Sequence, residues 1–84
     1  MIEFDPDKDA ANIAKHGVSL TRAVDLVIEY QILDDRFPDE VRYRAYGQLD
    51  GELFSLAFTF RDGRVRAINL RRTRAKEFRR YAPK

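Results

Sequence analysis

The sequence predicts an α+β fold in the order β-α-α-β-β-β-α, with an antiparallel sheet packed by two N-terminal helices and a C-terminal helix. Three observations predict it. Two Asp-Gly pairs, Asp50-Gly51 and Asp62-Gly63, separate runs with the spacing of strands, which is the signature of tight hairpins. Helix start and stop signals crowd into the first thirty residues. Near the end, a strand-like alternation changes directly into helical spacing.

Ile2-Glu3-Phe4 suits a short first strand. Asp5 can cap a helix that Pro6 begins, since Pro has no amide hydrogen to leave unpaired at the first position. That helix runs to about Lys15, and Lys15-His16-Gly17 ends it: cations in the last turn, then a residue free to turn left-handed. Ser19 is positioned to cap a second helix from Leu20 to about Tyr30, with Val18 stapling onto Ala23. Leu20, Ala23, Val24, Val27 and Ile28 would form its apolar face. Asp34 to Glu40 is acidic, contains Pro38 and reads as a loop.

The three strands that follow are Val41 to Gln48, Glu52 to Phe60, and Arg64 to Arg72. In the middle one, Phe54, Leu56, Phe58 and Phe60 face one way, and Leu53, Ser55, Ala57 and Thr59 the other, which places it at the centre of the sheet. After Arg72, Ala75, Phe78 and Tyr81 fall at helical spacing, with Thr73 as the expected cap.

At 84 residues this reads as one small domain, 1–84, with a modest core. An apolar fraction of 44% argues against disorder. With one His and no Cys, neither a disulfide nor a protein zinc site is expected, and no cofactor is implied. The lack of cysteine fits the cytoplasm, and no apolar run is long enough to cross a membrane.

Charge is unevenly distributed. Arg61 to Lys84 carries ten basic and two acidic residues, a net of +8, whereas the first sixty residues carry −6. Such a basic surface favours a polyanion, RNA or DNA above all, although an acidic protein partner fits the same face. A solvated Arg-rich helix is the bland alternative, weakened by the scarcity of acidic partners at helical spacing.

Together these pieces resemble the BrnT family of small ribonuclease toxins, which have a RelE-like fold. The front of the resemblance is Phe4-Asp5-Pro6-Asp7-Lys8, Asn12 and Lys15-His16-Gly17-Val18-Ser19-Leu20. Arg42 and Gly47 carry the middle, and Arg64 to Arg72, Glu77 and Tyr81 carry the end. Phe4 stands where the family often has Trp, Leu20 where it has Phe, and Asn69-Leu70 where it has Ser-Ala, so no hydroxyl is available at position 69. The resemblance implies a type II toxin that cleaves RNA and blocks growth. A cognate BrnA-like antitoxin with a ribbon-helix-helix DNA-binding domain would neutralise it, and DNA would be met only through that complex.

Metal-free RNA cleavage uses the 2′-hydroxyl as nucleophile, so the protein must position the phosphate, neutralise its oxygens and move protons. Arg71 and Arg72 are candidates for the phosphate, because a planar guanidinium matches it bidentately. On a continuing strand they point to opposite faces, with Arg64 and Arg66 sharing the face of Arg72. His16 either supplies the acid or base, or simply closes a helix C-terminus. Lys15 either closes the same helix end or contacts phosphate, and Tyr81 is either core or a site hydroxyl. Arg64, Arg66, Arg74, Lys76, Arg79 and Arg80 are the further candidates for RNA binding. The competing reading is a non-catalytic RNA- or DNA-binding module that uses the same basic face.

Overall fold

In the computed structural model, which describes residues 2–84, the centre of the molecule is a five-stranded sheet in the order β1-β5-β4-β3-β2. The strands are β1 (Ile2–Glu3), β2 (Val27–Asp34), β3 (Arg42–Leu49), β4 (Glu52–Arg61) and β5 (Arg64–Arg72). The sheet is mixed rather than antiparallel throughout, because β1 pairs parallel to β5. Asp50 and Gly51 both adopt positive φ, as do Asp62 and Gly63, so both hairpins close on the type I′ turns that their sequences predict.

Helix α1 (Pro6–His16) forms as its caps dictate. Asp5 accepts the amide of Asp7 at 2.8 Å, and Gly17 turns left-handed at φ 73° while its amide returns to the Ile13 carbonyl. Asn12 is buried in this helix and works as a piece of strand. Its Nδ2 donates to the Leu70 carbonyl at 2.8 Å, and its Oδ1 accepts the Leu70 amide at 3.1 Å. It thereby satisfies the edge of β5 beyond the two residues that β1 covers.

The second helix is the main correction. Ser19 does cap it, accepting the Thr21 amide, but only a 3₁₀ helix over Leu20–Asp25 follows. Leu26 is extended, and Val27–Asp34 forms an edge strand along β3. Leu20 and Ala23 are buried as expected, while Val24, Val27 and Ile28 are exposed. Apolar spacing suited either element; the run of Val27, Ile28, Tyr30 and Ile32 favours a strand, and β3 offers it a free edge.

Helix α2 (Ala75–Tyr81) begins after Arg74, and Thr73 does not cap it: the Thr73 hydroxyl donates to the Arg74 carbonyl instead. The helix packs over the polar face of the sheet, whereas α1 lies along the edge of β5. Phe78 packs edge-on against Tyr30 and Tyr46, and Tyr81 stacks on Tyr46.

One sheet face carries the core of Leu20, Ala23, Leu26, Ala45, Leu49, Phe54, Leu56, Phe58, Ala67 and Leu70. Fully burying a side chain such as Leu20, Leu56 or Leu70 contributes about 1.5–3 kcal/mol. The other face is polar and holds the site. A bulge in β5 sets which residues reach it. Ala57 pairs with Asn69 but Phe58 with Ala67, which leaves Ile68 as the extra residue. The inserted residue reverses the alternation. Arg64 and Arg66 therefore share the face of Arg71, and Arg72 falls on the Leu70 side, the reverse of the regular-strand expectation.

Gly47 has a separate steric role. A Cβ there would lie 2.1 Å from the Val27 carbonyl oxygen, so only glycine lets β2 approach at this point.

Candidate active site

Three cross-strand rows build the polar face. They are Tyr46–Ser55–Arg71, Arg44–Ala57–Asn69 and Arg42–Thr59–Arg66, from β3, β4 and β5 respectively. The central strand contributes only small side chains to these rows, and its neighbours contribute long ones.

Arg44 and Arg71 therefore rise on either side of β4, and one carboxylate joins them. Arg71 Nη1 and Nη2 donate to Glu77 Oε1 and Oε2 at 3.1 and 2.8 Å. Tyr46 donates its hydroxyl to Glu77 Oε2 at 2.8 Å and accepts from Arg44 Nη1 at 2.8 Å. The Arg71 hydrogen bonds hold the Glu77 carboxyl below its ordinary range, against the effect of its burial. Burial and the bond to Glu77 push the Tyr46 phenol up, so it remains a proton donor.

Arg44 is the most enclosed of the site's cations. Its guanidinium lies 4.6 Å from the centre of the Tyr81 ring, and its Nε is buried 3.5 Å from Asp34 Oδ2, without a hydrogen bond. Asp34 is buried and also grips Arg36, at 2.8 and 2.7 Å. Those Arg36 bonds lower the Asp34 carboxyl to about 2.

The resulting cleft encloses about 520 Å³ and is lined by Arg36, Arg44, Arg71, Arg72, Thr73, Arg74, Lys76, Glu77, Arg80 and Tyr81. Seven cations surround a single carboxylate there, which suits a polyanion such as a phosphate chain. No group of His, Asp or Glu among the described residues is arranged to hold a metal ion.

A smaller hollow lies beside Lys8, Lys15, His16 and Asn69. The Asn69 amide nitrogen is 3.3 Å from His16 Nε2. An amide nitrogen only donates, so this contact selects the imidazole tautomer with its proton on Nδ1. Burial, then the charges of Lys15 and Arg71, lowers the His16 pKa from its ordinary 6.5 and keeps the ring neutral at pH 7.

A family profile described as "Ribonuclease toxin, BrnT, of type II toxin-antitoxin system" matches residues 4–77. The chain belongs to the BrnT family. The fold is shared with the crystal structure of the ribonuclease toxin BrnT from Brucella abortus, at a TM-score of 0.68 and 22% identity, over 87% of this chain and 95% of that one. No curated protein matches the sequence.

Of the candidates read from the sequence of this BrnT-family chain, Arg71, Arg72, Arg74, Lys76, Arg80 and Tyr81 line the large cleft. Arg72 stands at its rim, exposed, with Nε 2.9 Å from Glu52. His16 and Lys15 line the neighbouring hollow. Arg64 pairs with Glu3 at 2.8 Å, at the far end of β5, and neither it nor Arg66 or Arg79 lines the cleft. Sequence reasoning missed Arg44, Asp34 and Arg36. For Arg44 the signal was present: Arg42, Arg44 and Tyr46 alternate with Tyr43, Ala45 and Gly47, as the basic residues do in β5. Asp34 looked like part of an acidic loop and is instead the last residue of β2. The described residues contain no helix long and apolar enough to cross a membrane.

Proposed function

We propose that the chain is a metal-independent endoribonuclease that cuts RNA through its own 2′-hydroxyl and thereby stops translation. One observation carries this reading: Arg44 and Arg71 flank a strand of small residues on one sheet face, joined through Tyr46 and Glu77. Two fixed guanidinium groups can accept the charge that builds on the phosphoryl oxygens, with little reorganisation during the step. Arg72, Arg74, Lys76 and Arg80 would bind the flanking phosphates.

In this scheme the substrate displaces the Asn69 amide from His16 Nε2, which takes the 2′-hydroxyl proton as the 2′-oxygen bonds to phosphorus and the bond to the 5′-oxygen breaks. The leaving 5′-oxygen takes a proton from water, His16 returns its own proton to solvent, and the product is a 2′,3′-cyclic phosphate. The depressed pKa of His16 keeps it ready to accept that proton at pH 7. Glu77 is engaged by Arg71 and Tyr46, which suits an orienting role for it. Tyr81 keeps the Arg44 guanidinium against its ring.

A BrnA-like antitoxin with a ribbon-helix-helix domain would neutralise the toxin by covering the cleft with acidic side chains, and DNA would be bound only by that complex. The fold reads as a RelE-like variant, and the site of action as the cytoplasm. A second reading, a non-catalytic RNA-binding module, draws support from Glu77 already occupying both ends of Arg71.

The test is incubation of the protein with naked RNA in excess EDTA, beside Arg71→Ala and Arg44→Lys variants. Cyclic-phosphate ends from wild type, reduced by orders of magnitude in both variants, are expected. Bound but uncut RNA, on ribosomes as well as naked, would favour the binding module.

A further inference from the structure

Next to the phosphate cleft is a second, more enclosed hollow of about 180 Å³. Ser55 and Ala57 of β4 form its floor, with Arg42 and Arg44 on one side and Asn69 and Arg71 on the other. These flanks are two strands apart, about 10 Å between backbones. The width follows from the sequence, since only small residues on β4 leave a hollow between the long ones. Phe37, from the loop after β2, forms a wall, and the Arg42 guanidinium lies 4.1 Å from the centre of its ring.

We infer that this hollow is a nucleobase pocket, which takes one unstacked RNA base beside the scissile phosphate; the inference rests on the ribonuclease reading above. Three features argue for a base over a further phosphate. A flat aromatic ring with a stacked guanidinium is the surface on which unstacked bases pack. The floor and flank provide neutral polar groups, the Ser55 hydroxyl and the Asn69 amide, each able both to donate and to accept, as base edges require. The hollow shares Arg44 and Arg71 with the phosphate cleft, so a base in one and its phosphate in the other belong to neighbouring parts of one nucleotide chain. The pocket thus supplies sequence preference, and the cleft supplies charge.

The experiment uses five 2′-O-methyl hexanucleotides, which cannot be cut by 2′-hydroxyl attack. All are uridine except at one central position, which carries A, C, G, U or an abasic sugar. Binding to the whole protein is followed by fluorescence anisotropy. Wild type is expected to separate the best from the worst central base by at least fivefold in Kd, with the abasic probe at the weak end. Phe37→Ala, a change in an exposed loop, and Ala57→Val, which fills the floor, should bind all five probes alike. Arg74→Ala, which lines the cleft and not the hollow, should weaken all five by one common factor.

Equal binding of the five probes by wild type would overturn the pocket, as would full discrimination in both variants. If Phe37→Ala weakened antitoxin binding and left base discrimination intact, the hollow would belong to the protein partner, and the inference would fall. The cyclic-phosphate assay stands apart from this one. Cleavage without discrimination removes the pocket alone, and discrimination without cleavage removes the nuclease reading alone.

Discussion

Arg71 grips Glu77 with both ends of its guanidinium, so β5 is anchored to the helix that follows it. The pair spans the Arg72–Arg74 turn, and the Tyr46 hydroxyl fixes the same carboxylate from the sheet. Glu77 is thus the hub that aims Arg71 across β4.

Replacing the hub separates aiming from binding. Glu77→Gln preserves an acceptor for Tyr46 and removes the charge that holds Arg71. Misplacing a phosphate-binding group by about 1 Å can cost roughly 100-fold in rate. Cleavage by Glu77→Gln is therefore expected to fall by about that factor. Affinity for RNA should hold or rise, because one negative charge leaves a cleft of cations. Single-turnover rates and anisotropy titrations on the same preparation check both halves. An unchanged rate would remove Glu77 from the mechanism.

Arg44 should matter for folding as well as for chemistry. Its side chain is only 12% exposed, between Asp34, Tyr46 and Tyr81. Removing one partner of a buried ion pair costs about 3–5 kcal/mol. Arg36 stays on Asp34, so Arg44→Ala should fall near the lower end, about 3 kcal/mol. A urea titration reads this as a lower midpoint at an unchanged slope. Arg44→Lys should recover part of the stability and little of the activity, since an ammonium lacks the planar fork.

The elements fixed by local chemistry were the legible ones. Asp5-Pro6, Gly17 and the two Asp-Gly pairs set their own backbone, so α1 and both hairpins follow from the sequence. The stretch from Leu20 to Tyr30 did not, because its spacing serves a helix or a strand, and the deciding edge belongs to β3, residues later in the chain. The site divided in the same way. Arg71, Arg74, Lys76, Arg80 and Tyr81 stood out as one run of charge. Arg44 and Asp34 enter the cleft only through strand pairing, and the bulge at Ile68, which has no local signature, decides which arginines share a face.

Stability should decline on the acid side, from three groups acting in the same direction. The Asp34 carboxyl is lowered from 3.8 to about 2, and Glu77 lies below its ordinary 4.5. A carboxyl lowered by folding stabilises fully above its unfolded pKa, and that contribution is lost as pH falls through the folded value. For Asp34 the window is 3.8 down to about 2, worth on the order of 1–2 kcal/mol once the exposure of Arg36 is allowed for. His16 adds a step at higher pH. Its folded pKa is below 6.5, so the unfolded chain takes up its proton first, and stability begins to drop below 6.5. Urea midpoints from pH 8 to about pH 2 should fall in two stages. His16→Gln should remove the upper stage and Asp34→Asn should shrink the lower one.

Asn12 gives the sharpest test of how the sheet edge is closed. Its side chain meets the Leu70 amide and carbonyl and also donates to the Val18 carbonyl at 2.9 Å. No hydrophobic residue of similar size can replace those bonds, so Asn12→Leu strands backbone groups of Leu70 in the interior. Each buried group left unpaired costs about 1–3 kcal/mol, so a loss of at least 3 kcal/mol is expected. Asn12→Asp can still accept from the Leu70 amide but cannot donate, and it sets a carboxylate against two carbonyl oxygens. It should be about as damaging at pH 7 and milder at low pH, where the protonated acid can donate one bond. Hydrogen exchange at the Leu70 amide reads the local effect directly. In either variant that amide should exchange far faster than its neighbours on β4, and continued protection would mean that α1 does not close this edge.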